Sequence, residues 1–282
     1  MWEPNPSDRI MILAPHPDDE VLAAGGLIAK ALNSSSQPNI QVIIATNGDA
    51  SYTTAFLHGS HLPSKKNFQR RAAARQKESL NALAALGLEA TRIHFLGFPD
   101  RGLADLWRGR WDHEHPYRSL TTGYESSIQA VNSPILLYTK ASLEQLLANE
   151  ILDFCPTMLI MPHPYDNHSD HSALAGFILL TMKRYVQEHH SPPLLFAYWM
   201  WQREKPWRTG ARPHDLASFY PEADSEKEPD LHLTLSPEIR AQKTRAMQYY
   251  PSQKIAAGKI FRDTFQRMYE SFTPLHPTLN YD

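Results

Sequence analysis

The 282-residue chain has a single cysteine, Cys155, so an internal disulfide is excluded. Standing beside an apolar run of strand length, Cys155 reads as a small structural side chain in the core. Charge of one sign is also lacking. The formal net charge is −2 and no dense Lys/Arg tract occurs, so nothing gathers a polyanion and nucleic acid is not expected as a partner. No apolar run approaches the roughly 20 residues that span a bilayer. Met1-Trp2-Glu3-Pro4 lacks the basic segment and apolar run of a secretion signal, so the expectation is a cytoplasmic protein with no membrane span. Repeats and linkers are missing, and 42% hydrophobic with 21% charged residues excludes a disordered or fibrous chain. No Gly-x-Gly-x-x-Gly follows the first apolar run, which argues against a dinucleotide cofactor.

What is present is alternation. Short apolar runs at Ile10–Ala14, Ile40–Ala45, Ile93–Leu96, Met158–Met161, Leu194–Trp199 and Leu231–Leu235 have strand length. Between them lie helical patterns over Asp19–Leu32 and about Lys66–Leu86, and a helix carrying Leu143, Leu146, Leu147 and Ile151 on one face. Ser236-Pro237-Glu238 reads as an N-cap followed by proline at the first helical position, opening a long helix with Ala246, Met247 and Tyr250. Such alternation predicts a Rossmann-like α/β three-layer sandwich around a mostly parallel sheet, with ligands bound beyond the carboxyl ends of the strands. We expect one domain over residues 1–282, with insertions at about 97–138 and 202–229.

Chemistry collects at two of those strand ends. The first strand runs into Pro15-His16-Pro17-Asp18-Asp19-Glu20, one imidazole and three carboxylates, with prolines restricting the backbone around His16. The plain alternative is that Asp18 or Asp19 caps the following helix while His16 sits in solvent. The fourth strand runs into His163-Pro164-Tyr165-Asp166-Asn167-His168-Ser169-Asp170-His171 and again opens a helix. Three His or carboxylate ligands with one open position make a catalytic zinc site, which the two clusters can supply without cysteine.

With a His-Pro-Asp-Asp signature early and a His-x-Asp-His signature later, the sequence resembles the LmbE-like (PIG-L) zinc de-N-acetylases. The likeness extends to Thr46-Asn47-Gly48, to Arg75 with Glu78, to Leu96-Gly97-Phe98-Pro99-Asp100 and to Tyr250-Pro251-Ser252-Gln253. The resemblance implies that His16, Asp19 and His171 bind the metal and that Asp18 is the general base. It implies that His168 stabilises the oxyanion, with Asp170 keeping it protonated. Zn2+ is the implied cofactor, and Fe2+ suits two histidines and a carboxylate equally.

Arg75 matches the family arginine that reaches the substrate, its alternative being an ion pair with Glu78 on a solvated face. Asp100 is placed to accept sugar hydroxyls, or else to form a turn. Glu20 reads as structural or as orienting a ligand, and His163 and Asp166 as second-choice ligands. Trp107, Trp111, Trp199 and Trp201 offer faces for a sugar ring or complete a core. The functional expectation is hydrolysis of an N-acyl, in particular N-acetyl, group from an amino sugar or glycoconjugate, by a hydrolase of non-peptide carbon–nitrogen bonds. The partner expected is that small molecule, with a homo-oligomer left open. The alternatives are an amidase for a non-sugar amide and a non-catalytic sugar-binding protein, the latter opposed by the presence of Asp18.

Overall fold

A computed structural model describes residues 3–50, 64–187, 192–200, 231–253 and 268–276. Five strands run parallel: β1 (Arg9–Ala14), β2 (Asn39–Thr46), β3 (Ile93–Phe98), β4 (Met158–Pro162) and β5 (Leu194–Tyr198). Two more, β6 (Leu231–Thr234) and β7 (Tyr269–Leu275), extend the sheet on the β5 side as an antiparallel pair, giving the order β3-β2-β1-β4-β5-β7-β6. The fold is thus the expected α/β architecture with a mostly parallel central sheet.

β1 is apolar on both faces because both are covered. Ile10, Ile12 and Ala14 enter one core with residues of α1 (Asp19–Leu32), α2 (Lys65–Ala85) and α6 (Pro237–Met247), while Met11 and Leu13 enter the other. That second core is filled by α3 (Leu103–Arg108), α4 (Lys140–Phe154) and α5 (Ser169–Gln187). The ends of two helices follow sequence rules: Thr139 accepts the Ser142 amide at the start of α4, and Ser236 accepts the Ile239 amide ahead of Pro237.

Several expectations need correcting. Cys155 is exposed: it closes α4 in a left-handed conformation, φ 48°, and its thiol donates to the Leu152 carbonyl. Within the segment 97–138, α3 buries Leu103, Leu106 and Trp107, and Val131 bridges Phe95 at the edge of β3. The helix expected to reach Tyr250 stops at Met247, with Tyr250 fully buried in the turn beyond. β7 was not anticipated; Pro274 and Glu270 disguise its pattern, and its length is set by pairing with β5 and β6. Trp201 and the segment 202–229 lie outside the described residues. Among the described residues no helix is long and apolar enough to cross a membrane.

Strand order reverses direction between β1 and β4, and a crevice opens where the loops beyond the two strands part in opposite directions. Both histidine clusters lie there.

Candidate functional site

The loop after β1 turns sharply into α1. Asp18 sits at φ 130°, ψ −31°, a conformation costing about 1–3 kcal/mol for a side-chain-bearing residue. Its carbonyl accepts the Val21 and Leu22 amides, but no side chain caps α1, so the acidic residues are free of the capping role. His16, Asp18, Asp19 and Glu20 are all buried, which disposes of a solvent-facing His16. Asp19 Oδ2 accepts the His16 amide at 3.0 Å and lies 3.1 Å from His16 Nδ1 and 3.2 Å from His171 Nε2.

The loop after β4 brings His168, Asp170 and His171 against this turn, with ring centroids of His16, His168 and His171 4.7–5.3 Å apart. His168 Nδ1 accepts the Asp170 amide at 3.2 Å. The Asp170 carboxylate faces elsewhere: it accepts the Arg101 and Leu103 amides at 2.6 and 3.1 Å and lies 3.2 Å from His16 Nε2. Asp170 thus acts on His168 through its charge, which raises the pKa of the ring, while its carboxylate hydrogen bonds go elsewhere. Burial, with the charges of His16 and His171, pulls the His168 pKa down to about 4, and a neutral ring accepting at Nδ1 carries its proton on Nε2. From the β3 end, Asp100 Oδ1 lies 3.4 Å from His16 Nε2, while Oδ2 accepts the Ala50 amide.

Arg75 is buried and spoken for. It pairs with Asp18 Oδ1 at 3.0 Å and donates to the Gly48 and Pro17 carbonyls, while Glu78 accepts from the Ser252 amide and hydroxyl. An Arg75–Glu78 pair on a solvated face is thus not formed. One turn earlier on α2, Arg71 keeps Nε and Nη2 buried with no hydrogen-bond partner. Burial, then the Arg75 charge, lowers its pKa to about 10. Sequence reasoning missed Arg71 because an arginine in a helix ordinarily reads as solvated.

It also undervalued Asp166, whose carboxylate accepts the His168 and Met200 amides at 2.9 Å and stands 3.6 Å from His171 Nδ1. His163 lies off the cluster, stacked on Trp199 at 3.7 Å. Trp107 packs edge-on to Phe177 in the core and Trp111 edge-on to Tyr117.

Burial opposes charge on His171, yet Asp19 and then Asp166 outweigh it and raise its pKa to about 9. His16 is likewise buried, yet Asp100, Asp170 and Asp19 hold its pKa well above the ordinary imidazole value. The carboxylates create a field that favours added positive charge between the rings. Both ring nitrogens of His171 are buried and face carboxylates alone, Nε2 at 3.2 Å from Asp19 and Nδ1 at 3.6 Å from Asp166. Among the described residues two sets, His16 with His168 and His171, and His16 with Asp100 and Asp170, bring ligand atoms within 4.8 Å of one another. Nitrogen and carboxylate donors of this kind suit zinc or ferrous iron. Burial first, then Asp19 and Glu20, pushes the Asp18 pKa up to about 7 against the pull of Arg75.

The sequence matches the PIG-L, GlcNAc-PI de-N-acetylase, family over residues 11–182. No curated protein matches the chain. A deacetylase triple mutant from the teicoplanin biosynthetic pathway has a similar structure, with TM-score 0.58 and 15% identity over 95% of this chain and 98% of that one. N,N'-diacetylchitobiose deacetylase from Pyrococcus horikoshii gives TM-score 0.56 and 16% identity over 97% and 85%. A 4-carboxy-2-hydroxymuconate hydratase from Pseudomonas putida gives TM-score 0.52 and 14% identity over 98% and 99%. Likeness of this degree shares the fold, and a hydratase on the same fold means that reaction type must be argued from the site.

Proposed function

The chain belongs to the PIG-L family, and from that premise we propose that it hydrolyses the N-acyl, in particular N-acetyl, group of an amino sugar or glycoconjugate, with a divalent metal as cofactor. The observation that carries this reading is the meeting of His16, Asp19 and His171, with Asp18 buried beside them against Arg75.

His16, Asp19 and His171 would hold the ion, zinc before ferrous iron. Asp170 is the poorer ligand, because two amides already occupy its carboxylate. When bound, the ion supplies Lewis acidity that lowers the pKa of water and polarises the acyl carbonyl. Asp18 accepts the proton released as water attacks and returns it to the departing amine. Arg75 fixes the Asp18 carboxylate through Nη2 and keeps only Nε without a hydrogen-bond partner among the described residues. His168 offers Nε2–H to the oxyanion of the tetrahedral intermediate, a donor worth on the order of 3 kcal/mol. Asp100, facing His16 with one oxygen and the Ala50 amide with the other, is the further carboxylate beside the ion. Arg71, with unused donors, takes a polar group of the substrate that Arg75 was expected to take.

The test is elemental analysis of chelator-free protein beside His16→Ala, with acetate release measured from N-acetylglucosamine and N,N'-diacetylchitobiose. About one metal ion per chain, lost together with acetate release in the variant, is the expected result. A protein that stays metal-free after reconstitution with zinc and iron and releases no acetate overturns the proposal.

A further inference from the structure

The strained peptide of Asp18 is supported by Glu20, which is itself held by a residue outside the matched family region. Its amide donates to Glu20 Oε2 at 2.8 Å, and the other oxygen of that carboxylate accepts the Tyr250 hydroxyl at 2.6 Å. Both Glu20 and Tyr250 are fully buried. Tyr250 belongs to the turn after α6, well beyond residue 182, and the next residues tie the same turn to α2 through the two Ser252 bonds to Glu78. Asp18 is thus held at three points: its amide by Glu20, its carbonyl by the first amides of α1 and its carboxylate by Arg75.

We infer that Glu20 and Tyr250 are positioning residues that hold Asp18 in its left-handed conformation and so aim its carboxylate into the crevice. The inference rests on the proposed role of Asp18 as the base. A residue bearing a Cβ relaxes from φ 130° toward negative φ unless something opposes it. The opposing force is the Asp18 amide, which would be buried and unpaired without the Glu20 carboxylate. Turning the peptide swings the Asp18 side chain away from Arg75. Glu20 cannot move to follow, because Tyr250 pins its second oxygen and burial denies it water. The geometry of the base is therefore set by the C-terminal part of the chain.

Three variants test this: Glu20→Ala, Glu20→Gln and Tyr250→Phe, each assayed for bound metal, kcat, KM and crystal structure. In Glu20→Ala, Asp18 should leave the positive-φ region, and kcat should fall about 10- to 100-fold with KM and metal content held, as a base misplaced by about 1 Å requires. Glu20→Gln should keep kcat within about threefold, because its amide oxygen still accepts from Asp18 and its NH2 can donate to Tyr250. Tyr250→Phe, which preserves the buried ring, should give an intermediate loss and serves if Glu20→Ala does not fold. Asp18 unmoved with unchanged kcat in the alanine and phenylalanine variants overturns the inference, as does metal loss in step with kcat. A wild-type protein without deacetylase activity would defeat the proposed function alone, since the conformation of Asp18 in the variants still decides this point.

Discussion

Asp166 makes three contacts that bear on the site at once: the amides of His168 and Met200, and the ring of His171. A carboxylate behind a ligating imidazole fixes its tautomer, so Asp166→Ala should weaken metal affinity about 10- to 100-fold, measured by competition with a chelator. Asp18→Asn should hold its metal and lose about 100-fold or more of kcat, because an amide cannot accept the proton. Arg71→Ala should raise KM about tenfold with kcat unchanged, the loss of a charge-assisted bond to substrate rather than to the transition state. An equal fall in kcat would move Arg71 into the machinery. At this scale residue type and spacing placed the two clusters correctly on strand ends. Directions escaped them: the turn of the Asp170 carboxylate toward His16 depends on where Arg101 and Leu103 deliver their amides, and that is decided by the folding of another loop.

A buried ion pair bonds to the backbone of α1. Lys243 of α6 donates to the Leu22 carbonyl at 2.7 Å, and Glu270 of β7 accepts the Gly26 and Leu27 amides at 2.6 and 2.8 Å. Lys243 and Glu270 meet at 2.6 Å, both buried. Gly26 is required here, since a Cβ would lie 2.6 Å from Leu235 and 2.9 Å from Glu270. Lys243→Met strands a buried carboxylate and should cost about 3–5 kcal/mol in urea unfolding; a loss below about 1 kcal/mol would show that the pair is idle. On the far edge, His94 of β3 lies 2.8 Å from Glu150 of α4. Burial works against its charge, but the Glu150 bond and charge outweigh this and raise its pKa. The stabilisation from this pair is complete below about pH 6.5 and fades as pH rises through the raised folded value. The stability gap between wild type and His94→Gln should therefore narrow from pH 6 toward alkaline pH, and a gap that widens would reverse the assignment. Sequence periodicity found β1 to β6 and the start of α6. It could not find the ion pair against α1, because Gly25-Gly26 reads only as close packing until β7 lies against it.

Across the whole molecule the two cores meet on the sheet, and the C-terminal residues are woven into one of them. Leu233, Leu235, Ala246, Met247, Tyr250 and Phe272 pack with Ile10, Ile12 and α1. A chain ended at residue 187, just past the family match, would lose β5, β6, β7 and α6 together. It should show no cooperative unfolding transition and no metal binding; a cooperative transition would mean that the matched region folds alone.

The sequence by itself determined the alternation of strands and helices, the two loops rich in histidine and carboxylate and the residue types shared with the family, because these depend on local period and on chemistry adjacent in the chain. Tertiary structure alone decided that β1 and β4 would be neighbours at the reversal of strand order, bringing His16 and His171 to one Asp19 oxygen. It also decided that the terminal nitrogens of Arg75 go to Asp18, Gly48 and Pro17, and that Glu20 reaches Tyr250. Apart from His16 with Asp19, each of those contacts joins residues far apart in sequence, and its geometry is fixed by packing of elements whose order in the sheet no local pattern records.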